Sequence, residues 1–151
     1  MKVRDIMTAQ PKAAARNTTL SAAAQLLWGA DCGILPVVDG GKLVGVVTDR
    51  DMYIALATRN QPASQLTVGD VAAGKLWTCG PDDDVHVALD TMGTQRVRRL
   101  PVTQDGALVG IISMNDLVLA SGADKPVRND EVVATLKAIC AHQAAPAAAA
   151  A

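Results

Sequence analysis

The sequence predicts an α/β (α+β) fold made of two tandem βαββα units followed by a C-terminal helix. Three observations carry this expectation. The chain repeats itself at one offset: a shift of 65 residues lays LPVV (35–38) on LPVT (100–103), LVGVVTDRD (43–51) on LVGIISMND (108–116) and VRDIM (3–7) on VGDVA (68–72), with no gap. Each copy holds two apolar, β-branched runs around a Gly-containing turn, the pattern of a β-hairpin. Each copy also holds apolar residues at i, i+3, i+4 and i+7, the pattern of a helix with one buried face. A period of this length exceeds that of solenoid repeats and suits a small α/β unit. The expected boundaries are 1–60 for the first unit, 61–66 for a polar linker and 67–122 for the second unit. A helical extension is expected over 123–143 and a disordered Ala-rich tail over 144–151.

The elements follow in order within each copy. KAAAR (12–16) and LWTC (76–79) are candidate first strands. The polar clusters NTT (17–19) and PDDD (81–84) are of the type that caps a helix. The helices that follow carry Leu20, Ala23, Ala24 and Leu27 in copy one, and Val85, Ala88, Leu89 and Met92 in copy two. The hairpins come next, ILPVV and LVGVVT around DGGK, then LPVT and LVGIIS around QDGA. VGVV hardly alternates, as in a strand buried on both faces. A last helix starts at Thr48 or Ser113, with Met52, Ala55 and Leu56 matched by Leu117, Ala120 and Ser121. Beyond the repeat, NDEVVATLKAICAHQ (129–143) places Val132, Leu136 and Ile139 on one helical face.

Composition narrows the function classes. Half of the 151 residues are apolar and the net charge is −1, which argues against nucleic acid or an anionic membrane as the main partner. No apolar run approaches the roughly 20 residues of a membrane span, and the N-terminus lacks a signal-peptide core, so the expected location is cytoplasmic. Three widely spaced cysteines, Cys32, Cys79 and Cys140, suit reduced thiols better than a disulfide framework. Cys140 and His142 make two ligands where structural zinc takes four. No phosphate-loop, nucleophile-elbow or zinc-protease motif is present, which leaves catalysis without support and no catalytic cofactor expected.

The stretch GVVTDRD (45–51) and its echo GIISMND (110–116) carry the chemistry. Thr48 with Asp51, and Ser113 with Asp116, have the spacing of a capping box. The same groups suit a nucleotide: the hydroxyl and free N–H groups face a phosphate, and the carboxylate accepts from a ribose diol. Both readings stand on the residues alone. Gly45 and Gly110, just before, would let a ligand or an opposing backbone approach.

A duplicated unit with LPVVDGGKLVGVVTDRD and LPVTQDGALVGIISMND resembles the CBS domain, and two in tandem resemble a CBS pair, over about residues 3–121. The resemblance implies two units packed about a pseudo-two-fold axis, with two clefts between them. It implies binding of an adenosine-containing ligand (AMP, ADP, ATP or S-adenosylmethionine), sensing without catalysis, and homodimers formed through the helices. It assigns Thr48 and Ser113 to phosphate, and Asp51 and Asp116 to ribose. Family members often carry a basic residue just before LPV, so Arg98 and Arg99 become candidate phosphate ligands. Copy one has Gly33-Ile34 there, so its cleft is expected to be poorer in charge, with Arg50 as compensation. Ile34, Ala14 and Cys79 are candidates for adenine surfaces, against the alternative that they are ordinary core. The protein would then signal to an unidentified protein partner in trans. The alternative is an interaction protein that kept the fold with degenerate clefts.

Overall fold

The computed structural model describes residues 1–72 and 75–141. The Ala-rich tail expected at 144–151, and His142, lie outside the described residues.

The hairpins organise both units. In the first, β3 (Ile34–Asp39) pairs antiparallel with β4 (Lys42–Thr48), and in the second β5 (Arg99–Gln104) pairs with β6 (Ala107–Ser113). The registers coincide under the 65-residue offset, Ile34 opposite Thr48 and Arg99 opposite Ser113, and each hairpin shifts register at the matching step. Both turns need two residues of positive φ, supplied by Gly40 and Gly41 (54° and 78°) and by Asp105 and Gly106 (53° and 82°), as in a type I′ turn.

Helix α1 (Leu20–Gly29) is capped by Thr19, which accepts from Ala22 N–H, and α4 (Val85–Gln95) by Asp84, which accepts from His86 N–H. Their stripes turn inward. Leu20, Ala23 and Leu27 are buried under the first sheet, and Val85, Ala88, Leu89 and Met92 under the second. Ala24 is exposed. The last helix of each unit, α2 (Asp49–Arg59) or α5 (Met114–Ala120), buries Met52 and Ala55 or Leu117.

The first strands are shorter than expected. Ala14–Ala15 forms β2, parallel to β3. In copy two Cys79 alone is bridged, to Val102, through Thr103 N–H donating to the Cys79 carbonyl at 2.9 Å. The next ladder bond would come from residue 81, and Pro81 has no N–H to donate.

Each copy closes the core of the other. Val3, fully buried, packs with Val85, Leu100 and Ile112 of the second unit, and β1 (Thr8–Ala9) adds to the edge of β6. Reciprocally, Leu66 and Val68, the latter opening the short helix α3 (Val68–Val71), pack with Leu20, Leu35 and Val47 of the first unit. The backbone bonds repeat the exchange: Val3 N–H donates to Asp83 at 2.9 Å, and Val68 N–H to Thr18 at 2.8 Å. The 61–66 segment is therefore seated and is not a loose tether. Ser21 N–H donates to the Ala63 carbonyl, and Leu20 N–H to that of Leu66.

Helix α6 (Asn129–Cys140) lies across α4 and α5 and buries Val132, with Leu136 and Ile139 packed on the second core. Gly93 faces α6: a Cβ there would touch Thr135 and Ala138 at 3.7 and 3.8 Å, ordinary contact, so only a larger side chain would press α6 away. The equivalent face of the first unit is open, with Trp28 89% and Tyr53 73% exposed.

Candidate functional site

The capping boxes are formed in both copies. Asp51 Oδ2 accepts from Thr48 N–H at 2.9 Å and from its hydroxyl at 2.7 Å, and Asp51 N–H donates back to Thr48 Oγ1 at 3.1 Å. For Ser113 and Asp116 the three distances are 2.7, 2.6 and 3.3 Å. Within the described residues each carboxylate uses Oδ2 alone, leaving Oδ1 free to accept. A third box, Thr67 with Asp70, has bonds of 2.9 and 2.7 Å and lines neither cleft. Its Thr67 bonds hold the Asp70 carboxyl below the ordinary range. The box is therefore a structural unit in its own right, and position distinguishes the other two.

Two clefts run between the units, related by the 65-residue offset. The larger, about 750 Å³, has Thr48, Asp49, Arg50, Gly33, Ile34 and Val46 of the first unit on one side. The second unit supplies Lys75, Leu76, Trp77, Arg96, Val97, Arg98, Arg99 and Pro101, and α6 adds Ile139. The smaller, about 390 Å³, has Ser113, Asn115, Asp116, Ile111 and Arg99 facing Thr8, Gln10, Pro11, Lys12, Asp31, Cys32, Ile34 and Pro36, with Ala30 beside them. Both volumes fall in the range of small-molecule sites, roughly 300–1,000 Å³. Ile34 and Arg99, equivalent residues, each line both clefts, as expected next to a pseudo-two-fold axis.

This arrangement corrects the expected charge balance. Each cleft joins the cap of one copy to the residues before the hairpin of the other. Arg98 and Arg99 consequently face Thr48 on the opposite wall, and the cleft expected to be poor in charge holds five cations against one carboxylate, Asp49. Arg50, on the exposed first turn of α2, also lines it.

The remaining candidates divide. Thr48, Ser113, Asp116 and Ile34 line clefts as the sequence suggests. Asp51 sits beneath its cap and lines a shallow depression with Ile54 and Thr58. Ala14 and Cys79 are core, 1% and 6% exposed, and line neither cleft. Burial, then the Asp83 charge, pushes the Cys79 thiol up to about 11, far from a reactive thiolate. Gly45 and Gly110 are buried in mid-strand. A Cβ on Gly110 would come within 2.4 Å of Met7 Sδ, so its close neighbour is the exchanged N-terminal segment and not a ligand.

Sequence reasoning missed Lys75, Trp77 and Arg96 on the larger cleft, and Lys12, Asp31 and Asn115 on the smaller. The Lys75 ammonium sits 5.4 Å from the Trp77 ring centre, within cation–π range. The offset held a usable signal: Gln10-Pro11-Lys12 aligns with Lys75-Leu76-Trp77 and Asp31 with Arg96.

Comparison with known proteins places this geometry. The CBS-domain pattern matches residues 3–58 and 68–122. The chain is 31% identical over 142 residues to hypoxic response protein 1 of Mycobacterium tuberculosis, covering 93% of this chain and 95% of that protein. The crystal structure of Hypoxic Response Protein I with two coordinated zinc ions superposes with a TM-score of 0.72 at 32% identity, over 79% of this chain and 98% of that one. Among the described residues here, no group of three or more His, Cys, Asp or Glu side chains could hold a metal ion. The CBS domain pair of protein MJ0100, in complex with 5′-methylthioadenosine and S-adenosyl-L-methionine, superposes with a TM-score of 0.71 at 29% identity, over 79% and 94% of the two chains. With two matched units, exchanged N-terminal segments and paired clefts, the chain belongs to the CBS-domain family and is a tandem CBS pair, a regulatory module.

Proposed function

We propose that this CBS pair is a sensor that binds an adenosine-containing ligand in the clefts between its units and signals to a protein partner in trans, without a catalytic step. The observation that carries the reading is the larger cleft, where the Thr48 hydroxyl on one wall faces Arg96, Arg98 and Arg99 on the other. Guanidinium groups gathered opposite a helix N-terminus suit a phosphate ester. The complex of the MJ0100 pair with two adenosine compounds supports adenosine as the common part. Asp116, whose Oδ1 has no partner among the described residues, would accept from a ribose in the smaller cleft.

The signal follows from the walls. A ligand that touches both units favours the relative orientation in which both contacts are made. Ile34 and Arg99, shared by the clefts, would pass a shift at one to the other. The open α1–α2 face, where Trp28 and Tyr53 offer an exposed apolar surface, suits contact between two copies of the chain. Homodimerisation through this face, in the cytoplasm, completes the proposal.

Calorimetric titration of the full chain with AMP, ADP, ATP and S-adenosylmethionine tests the reading. Saturable heat with at least one compound is expected, and no heat with any at millimolar concentration would overturn it. One observation favours the second reading, an interaction protein with degenerate clefts: both boxes are satisfied internally, like that of Thr67 and Asp70. That reading expects titrations without heat and a partner bound at the α1–α2 face.

A further inference from the structure

We propose that the two clefts are divided by charge: the Thr48 cleft takes a nucleoside polyphosphate, and the Ser113 cleft takes a nucleoside without phosphate charge. The proposal rests on the adenosine reading above and assigns a ligand class to each cleft.

The Thr48 cleft gathers Arg50, Lys75, Arg96, Arg98 and Arg99, five of the 14 basic residues of a chain whose net charge is −1. Asp49 is its one carboxylate, so four positive charges are in excess, or three without Arg99, which also lines the other cleft. Asp49 already accepts from Arg50 N–H at 2.7 Å through Oδ1. Within the described residues none of the five cations forms an ion pair; of the other nine basic residues, Lys2, Arg4, Arg16 and Arg128 do. Like charges held together without counter-charge repel, and an anion placed among them relieves the repulsion.

The Ser113 cleft is balanced. Lys12 and Arg99 stand against Asp31 and Asp116. The contrast is built position by position on a shared backbone. Arg96 and Asp31, equivalent under the offset, both adopt positive φ, 56° and 47°. At this same bend one copy turns a guanidinium into one cleft and the other a carboxylate into the second. Arg98 corresponds to Gly33, Arg50 to Asn115 and Lys75 to Gln10. Every cation peculiar to the larger cleft is neutral or acidic in its counterpart.

Charge count sets the ligand class. A terminal phosphate carries about −1.5 to −2, which would leave about two of the four charges unbalanced. A di- or triphosphate matches the excess, and its chain can reach guanidinium groups spread along the wall. The larger volume, 750 against 390 Å³, accommodates the longer ligand. Trp77 lines the same cleft, with the Lys75 ammonium over its ring. In the balanced cleft a polyphosphate would meet Asp31 and Asp116, whereas an uncharged nucleoside, or one with a cationic substituent, meets no such penalty.

The test is calorimetry on the full chain with ATP, AMP, 5′-methylthioadenosine and inorganic tripolyphosphate, at low and at 0.5 M salt (roughly a 30 Å against a 4 Å screening length). The variants are Arg96→Asn with Arg98→Gln for the larger cleft and Asp116→Asn for the smaller. Asn tolerates the positive φ of residue 96, and Arg99 is left intact because it lines both clefts. ATP is expected to bind about tenfold or more tightly than AMP, to weaken with salt, and to lose at least as much in the Arg variant. 5′-Methylthioadenosine should bind the Arg variant unchanged, which also certifies its fold, and should weaken in Asp116→Asn. If ATP and 5′-methylthioadenosine bind but respond to the variants alike, or if Asp116→Asn alone weakens ATP, the division by charge is wrong while the adenosine reading stands. Tripolyphosphate binding as tightly as ATP would refute a nucleoside ligand at the larger cleft. No binding by any of the adenosine compounds would refute both.

Discussion

Asp116→Ala removes two interactions at once, one internal and one with a ligand, and the structure supplies the control that separates them. Asp116 Oδ2 holds the Ser113 amide at 2.7 Å and its hydroxyl at 2.6 Å, at a part-buried helix start. Alanine leaves that amide without its acceptor. Loss of an N-terminal cap costs about 0.5–2 kcal/mol, and for a chain of this size each kcal/mol lowers Tm by about 2–4 °C. The expected fall is about 1–8 °C without ligand, followed by circular dichroism. If Oδ1 accepts from ribose, the same change should also weaken 5′-methylthioadenosine by about tenfold. Asp70→Ala removes a box of the same chemistry, with bonds of 2.9 and 2.7 Å, away from both clefts. It should lower Tm and leave ligand affinity unchanged. A Tm loss at both sites with no ligand effect at either would reduce the Ser113 box to a cap. An equal loss of ligand at both would refute placement as the distinguishing feature.

Other outcomes follow from the packing. Val3→Ala should cost about 2 kcal/mol, and hydrogen exchange should quicken in β6 and α4 more than in β3 and β4, because Val3 fills the second core. Gly93→Trp puts at the α4 position the residue that copy one carries as Trp28. It should lift α6 and expose residues 121–128 to limited proteolysis, whereas unchanged protection would contradict the seating of α6 on Gly93. His86 joins Asp84 to Glu131 of α6, with its Nε2 3.5 Å from Glu131 Oε1. Its hydrogen bond to Asp84, then the Asp84 and Glu131 charges, raise its pKa above the ordinary 6.5. Its contribution is therefore complete below pH 6.5 and is lost as pH rises through the raised value. His86→Gln should flatten the Tm–pH curve across that window, and an unchanged curve would contradict the link.

The repeat made most of the fold readable. One offset gave both hairpins, both helical stripes and both caps, because local patterns of apolar spacing and turn residues specify these elements. The offset could not reveal the exchange of N-terminal segments. Val3 and Val68 are equivalent, so either segment could close either copy, and the choice is made by tertiary packing. The same ambiguity misassigned charge at the site. Arg98 and Arg99 belong to the same copy as Ser113, but both line the Thr48 cleft; Arg98 lines that cleft and not the Ser113 cleft, and Arg99 lines both. Pro81, visible in the sequence, is what shortens the second copy's first strand, an effect that becomes plain once the donor at that ladder position is known to matter. Trp77 and Lys75 went unread because a single aromatic in a short apolar run looks like core until the fold turns it to a cleft.

The chain has two tryptophans. Trp77 lines the larger cleft, and Trp28 stands exposed on the α1–α2 face. In a Trp28→Phe variant, indole fluorescence reports the larger cleft directly. Titration with ATP should give a saturable change that adenosine-free anions such as sulfate do not reproduce and that Arg96→Asn with Arg98→Gln weakens. A flat signal up to millimolar ATP, with the protein folded, would contradict the claim that this CBS pair holds a nucleotide between its units.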